Sequence, residues 1–104
     1  MGTIVEKKDE HILVCLSSSP TNKKIISTAA KMAGVFHARF TALYVQTGAE
    51  TISADKERLE AHIRYAEESG AEIVMTHGED VALQIAEYAH LSGVTKIVIG
   101  QSSV

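Results

Sequence analysis

The chain has 104 residues, enough for one domain with a modest core and too few for two. Apolar residues make up 45% and charged residues 22%, which sets it among globular chains and excludes an intrinsically disordered one. Ten basic residues against thirteen acidic give a net charge of −3, which argues against a DNA or RNA partner, and no apolar run nears the roughly 18 residues of a membrane span.

Residues 1–10, "MGTIVEKKDE", are charged and aperiodic and lack the apolar centre of a signal peptide. They read as a leader or linker of a cytoplasmic protein, with the domain proper over 11–104. "HILVCLS" (11–17) is a continuous apolar run, the mark of a parallel strand covered on both faces. Cys15, the only cysteine, sits within it and reads as a small buried hydrophobe rather than a reactive thiol. A helix follows over about 21–36, with apolar residues at Ile25, Ala29, Met32, Ala33 and Phe36. Its expected opening is Ser19 as cap and Pro20 as first helical residue.

"RFTALYVQT" (39–47) is rich in β-branched and aromatic residues and predicts a second strand. The charged stretch over about 54–69 predicts a helix with a thin stripe at Leu59, Ile63 and Ala66, stopped by Gly70. Its charge predicts that it is the most solvent-exposed helix. "AEIVMTH" (71–77) is a third strand. A third helix, over about 80–91, begins at Asp80 and is expected to bury Ala82, Ile85, Ala86 and Ala89. "KIVIG" (96–100) is the fourth strand, again a continuous apolar run.

The order β-α-β-α-β-α-β, with crossovers of this length, requires parallel pairing and right-handed connections. The expected fold is α/β: a doubly wound open parallel sheet with helices on both faces. The sequence ends in "GQSSV", just past the fourth strand, where a domain of this type commonly continues through another helix and strand. Either the sheet has four strands or the chain is an excerpt of a longer protein, and the charged leader favours the excerpt.

Ligands of open α/β sheets bind beyond the carboxyl ends of the strands, where strand order reverses. With strand one central, Ser17-Ser18-Ser19, the Gly100-Gln101-Ser102-Ser103 tail and the end of strand two near Tyr44 converge there. Hydroxyls and amides at a helix start suit a phosphate. The same serines could serve only as a helix cap and turn residues, so composition leaves both readings open. The chain has no G-x-x-x-x-G-K, no G-x-G-x-x-G and no G-x-S-x-G, which excludes a Walker-type loop, a dinucleotide-redox fingerprint and a hydrolase elbow. The five histidines are scattered, with no metal-ligand spacing and no catalytic constellation, so neither a metal site nor an enzymatic activity is expected of this chain.

From His11 to about Ser102 the chain resembles the universal stress protein superfamily, and within it the stress-protein-like domain in the cytoplasmic part of KdpD-type potassium sensor histidine kinases. The resemblance rests on "ILVCLSSSP", "FTALYV", "HGEDVALQIAEYA" and "VTKIVIGQSS", in that order. The nucleotide-binding members usually carry an aspartate at the end of strand one, where this chain has "LSSS". Their ATP-binding members carry Gly-x-x-Gly after strand four, where Gly100 is here followed three positions on by Ser103. A subset of the KdpD-type domains resembles instead the pattern Ser-x-Ser, twenty residues, Phe-Thr-Ala-x-Tyr, associated with cyclic di-AMP. This chain has Ser17 and Ser19, then residues 20–39, then Phe40, Thr41, Ala42 and Tyr44.

The resemblance implies a regulatory, nucleotide-sensing domain of a membrane-anchored two-component sensor histidine kinase, with cyclic di-AMP as ligand and no tightly bound cofactor. Its partners would be that ligand and the other domains of the kinase, with no direct membrane contact. The implied ligand-binding residues are Ser17, Ser19, Thr41, Ala42, Tyr44, Phe40, Gly100, Gln101 and Ser102. Ser17, Ser19, Thr41 and Tyr44 would hydrogen-bond the ligand, Ala42 would thin the wall, and Phe40, opposite Thr41 on the strand, would pack. Two alternatives stand beside it: a free-standing ATP-binding universal stress protein that dimerises through an edge strand, and a scaffold domain without a ligand.

Overall fold

A computed structural model describes residues 9–48 and 53–100. Four strands, β1 (His11–Cys15), β2 (Arg39–Gln46), β3 (Glu72–His77) and β4 (Lys96–Val98), alternate with three helices, α1 (Asn22–Phe36), α2 (Ser53–Glu68) and α3 (Val81–Leu91). All pairings are parallel and the spatial order is β3-β2-β1-β4. Connections therefore run outward from β1 to β2 and β3, then jump back past β1 to β4. The reversal falls between β1 and β4, as expected for a doubly wound sheet. No helix among the described residues is long and apolar enough to cross a membrane.

Strand alternation divides the core. Ile12, Val14, Phe40 and Ala42 join Ile26, Ala29, Ala33, Leu59 and Ala66 in one buried cluster, so α1 and α2 cover the same face. Leu13, Leu43, His11 and Thr41, also buried, alternate onto the opposite face, where α3 lies. Glu10, in the expected leader, is tied into the domain: its carbonyl accepts from Arg39 N–H at 3.0 Å and its carboxylate from Thr95 Oγ1 at 2.6 Å. Residues 1–8 of that leader lie outside the described residues.

The structure departs from the sequence expectation at two helices. The first, α1, begins at Asn22 rather than at Pro20. Ser19 Oγ accepts from Thr21 N–H (3.3 Å) and the Ser19 carbonyl from Asn22 N–H (3.0 Å), so Ser19 closes a turn ahead of the helix instead of capping it. The second departure is α3. It starts as expected, with Asp80 Oδ1 accepting from Leu83 N–H at 3.1 Å, yet none of its residues is buried, Ala82, Ile85, Ala86 and Ala89 included. The highly charged α2 buries Leu59, His62 and Ala66, so α3 and not α2 is the most exposed helix.

Width explains this. The outer strands of a four-stranded sheet lie about 14 Å apart, while one helix with its side chains is about 10 Å across. Two helices cover one face and a single helix cannot cover the other. Ile97 and Ile99 on the β4 side are accordingly 44% and 60% exposed, and Leu83 on α3 is 50% exposed.

Candidate functional site

At the carboxyl end of β1 the chain leaves the sheet through Leu16 and the three serines, and this loop is held from both sides. Asn22, 2% exposed in the first turn of α1, accepts from Ser17 N–H through Oδ1 (3.2 Å) and donates from Nδ2 to the Cys15 carbonyl (3.0 Å). From α2, His62 Nδ1 lies 2.7 Å from the Ser17 carbonyl and Arg58 Nη1 donates to the Ser18 carbonyl at 2.9 Å. A carbonyl only accepts, so His62 carries its proton on Nδ1. Arg58 is oriented as well by Asp55, 3.6 Å away one turn back on α2.

Within the loop, Ser17 Oγ accepts from Ser19 N–H at 3.2 Å, and Ser19 Oγ accepts from Thr21 N–H at 3.3 Å while lying 3.0 Å from Thr21 Oγ1. The hydroxyl oxygens are thus engaged by the loop's own amides. The Ser17 proton remains to be donated outward, and of the Ser19 and Thr21 protons one closes the bond between them and the other remains. The loop offers donors, which suits an acceptor-rich anion.

Two hollows meet over this loop. One, of about 290 Å³, lies between the ends of β1 and β4 and is lined by Ser17, Ser19, Thr21, Asn22, Ile25, Val81, Ile99 and Gly100. The other, of about 250 Å³, lies over β1 and β2 and is lined by Ser17, Ser18, Leu43, Tyr44, Val45, Leu59, Val81 and Ile85. Cys15, Leu16, Ser17 and Val81 belong to both. At the far end Tyr44 and Leu59 also border a hollow of about 370 Å³ toward Lys56 and Met75. At Gly100 an added Cβ would meet the tip of the Ile25 side chain, which shows that the chain after β4 passes close against α1.

Of the residues the resemblance implies, Ser17, Ser19, Tyr44 and Gly100 are brought together around these hollows. Gln101 and Ser102 lie outside the described residues. Phe40 and Ala42 are core residues of the α1–α2 face, 9% and 0% exposed, and line neither hollow. Thr41 is placed differently from the expectation. It is wholly buried, on the opposite side of β2 from Tyr44, and its Oγ1 lies 2.7 Å from His11 Nε2. His11 Nδ1 faces the Ser92 carbonyl at 3.1 Å and must donate to it, so in the neutral ring Nε2 accepts the Thr41 hydroxyl proton. Thr41 thereby joins β1, β2 and the end of α3, and does not face the cleft.

Sequence reasoning missed Asn22, Arg58 and His62. Asn22 occupies the buried stripe of α1, one turn before Ile26, and His62 lies between Leu59 and Ala66 on α2. A polar residue inside an apolar stripe was the available signal in both.

Cys15 is half-buried and lines both hollows. Burial pushes its thiol up from 9.0 to about 11, which leaves it neutral and a poor nucleophile at physiological pH. Alkylation by iodoacetamide should therefore keep rising through pH 9 and 10 and level off only near pH 11. A profile that levels near pH 9 would mean that the thiol is fully solvated.

A parallel sheet with the β3-β2-β1-β4 order and a cleft at its switch point defines a doubly wound α/β domain of the kind that binds ligands at that crevice. A universal stress protein family member from Burkholderia pseudomallei matches the chain with a TM-score of 0.69 and 25% identity, over 88% of this chain and 81% of that one. The universal stress protein from Archaeoglobus fulgidus solved in complex with dAMP matches with a TM-score of 0.59 and 22% identity, over 88% and 80%. No protein-family model matches the chain. By fold and sequence the chain belongs to the universal stress protein superfamily. Its sequence is similar to a stretch of the sensor protein KdpD of Clostridium acetobutylicum, 47% identical over 100 residues, which is 96% of this chain and 11% of that protein.

Proposed function

We propose that this chain is the nucleotide-sensing domain of a potassium-responsive two-component sensor histidine kinase, and that it binds cyclic di-AMP on the cytoplasmic side. The observation that carries this reading is the donor-rich serine loop at the switch point. Ser17 Oγ has its oxygen engaged and its proton free to meet a phosphate oxygen, and the paired Ser19 and Thr21 hydroxyls have one further proton between them to donate. Ser17 borders both hollows, a layout suited to a ligand with two nucleotide halves, and Tyr44 supplies a ring and a hydroxyl in the second. Similarity to a KdpD sensor protein along nearly the whole chain and the dAMP complex of a protein of the same fold support it.

The domain performs no chemistry of its own in this reading. Its ligand acts on the other domains of the kinase by preferring one conformation, and can shift the balance only by that preference. Calorimetry with cyclic di-AMP, ATP and cyclic di-GMP tests the proposal. Micromolar binding of cyclic di-AMP alone is the expected result. Ser17→Ala and Ser19→Ala should each weaken it about tenfold, because a hydrogen bond to a charged group contributes about 1.5 kcal/mol or more. Saturable ATP binding without cyclic di-AMP binding would instead favour an ATP-binding stress protein. No binding of any of the three would leave the serines as turn residues in a scaffold domain.

A further inference from the structure

Ser17 is gripped at both of its peptide bonds. Asn22 of α1 accepts its N–H at 3.2 Å, and His62 of α2 donates to its carbonyl at 2.7 Å. The next carbonyl, of Ser18, is taken by Arg58 at 2.9 Å. Arg58 and His62 stand four residues apart, so they rise from one side of α2 as neighbouring turns. His62 is 6% exposed, so its 2.7 Å bond to the loop is largely shielded from water. Neither side chain borders the hollows over the serines, and both touch the backbone of the loop that does.

We infer that His62, assisted by Arg58, is a positioning residue: it fixes the Ser17–Ser18 backbone so that the serine hydroxyls face the ligand. The inference rests on the nucleotide-binding reading for its functional consequence, while its structural half stands on the hydrogen bonds alone. By fixing one peptide unit, His62 sets the direction of Ser17 Oγ, on which the Ser19 amide in turn depends. It also ties loop and helix reciprocally. A ligand that orders the serines tightens the loop against α2, and a displacement of α2 loosens the ligand.

Three variants of the chain test this. His62→Leu keeps an apolar body of similar bulk but removes the donor. His62→Asn returns a side-chain N–H close to the place of Nδ1. Arg58→Ala, at an exposed position, leaves the core intact. The first readout, which needs no ligand, is hydrogen exchange at the Ser17 and Ser19 amides. The second is calorimetric affinity for cyclic di-AMP, with the thermal midpoint followed throughout.

His62→Leu should speed exchange of both amides tenfold or more and weaken cyclic di-AMP about tenfold. His62→Asn should recover most of both losses, and Arg58→Ala should show the same pair of effects in smaller measure. Exchange and affinity within twofold of the unaltered chain in both His62→Leu and Arg58→Ala would overturn the inference. So would a His62→Asn variant no better than His62→Leu. If the unaltered chain binds no cyclic di-AMP but the exchange pattern appears as expected, the ligand reading fails and the positioning of the loop stands.

Discussion

Asn22→Ala is expected to lower the unfolding free energy by about 2–4 kcal/mol, measured by urea denaturation of the chain. The side chain is all but inaccessible and serves two backbone groups at once, the Ser17 N–H and the Cys15 carbonyl. Truncation removes both hydrogen bonds and leaves the carbonyl at the end of a buried strand without its partner, which costs more than the bonds themselves contribute. It also opens a cavity beneath the first turn of α1. Asn22→Asp separates the contributions. A carboxylate keeps the acceptor for Ser17 but presents a like-signed oxygen to the Cys15 carbonyl, so it should be destabilised comparably. An aspartate variant as stable as the original would show that the contact to Cys15 contributes little.

Thr41→Val should lower stability by about 2 kcal/mol, within the range for stranding one buried polar partner, and leave affinity for cyclic di-AMP within twofold. Valine reproduces the shape of threonine, and the lost hydroxyl is the one that donates to His11 Nε2 at 2.7 Å. The imidazole, 2% exposed, would then keep its bond to the Ser92 carbonyl and face an unpaired site at its other nitrogen. Stability and affinity together distinguish a structural Thr41 from a ligand-binding one. A large loss of affinity with stability unchanged would return it to the ligand site, against its placement on the far side of β2.

The topology was legible because each strand is a short apolar run and each helix a longer periodic one, and right-handed crossovers leave few ways to connect them. Asp80 and Gly70 carried the α3 start and the α2 end in the sequence, and the structure places both as read: Asp80 caps Leu83, and Gly70 takes φ +98°. The start of α1 was not legible. Ser19, Thr21 and Asn22 are all good capping types, and only the competition of the strand end for Asn22 decides among them. The stripe on α3 told which side of the helix is apolar, but burial depends on a neighbouring helix that no local pattern encodes.

The loop serines and Tyr44 were named from the strand ends and from the resemblance, and the structure places them around the same hollows. Their supports, Asn22, Arg58 and His62, bind backbone atoms of the loop. A polar residue in an apolar stripe could mark Asn22 and His62 but not say which atoms they hold, and Arg58 and His62 reach the loop from 40 and 45 residues away. The misplacement of Thr41 is different, because odd and even positions of one strand cannot share a face, and that was readable from the numbers 41 and 44 alone.

The alternation of β2 has a consequence for how such domains should be compared. Of the stretch Phe40-Thr41-Ala42-Leu43-Tyr44, Phe40 and Ala42 face one core and Thr41 the other, while Tyr44 and, beside it, Leu43 reach a cleft. Most letters of that signature therefore spell the seating of a central strand between two layers. A sequence could keep them all to preserve its architecture after its ligand had changed. On the proposed reading, kinship in ligand between two such domains is better judged on Ser17, Ser19 and Tyr44 than on the stretch as a whole.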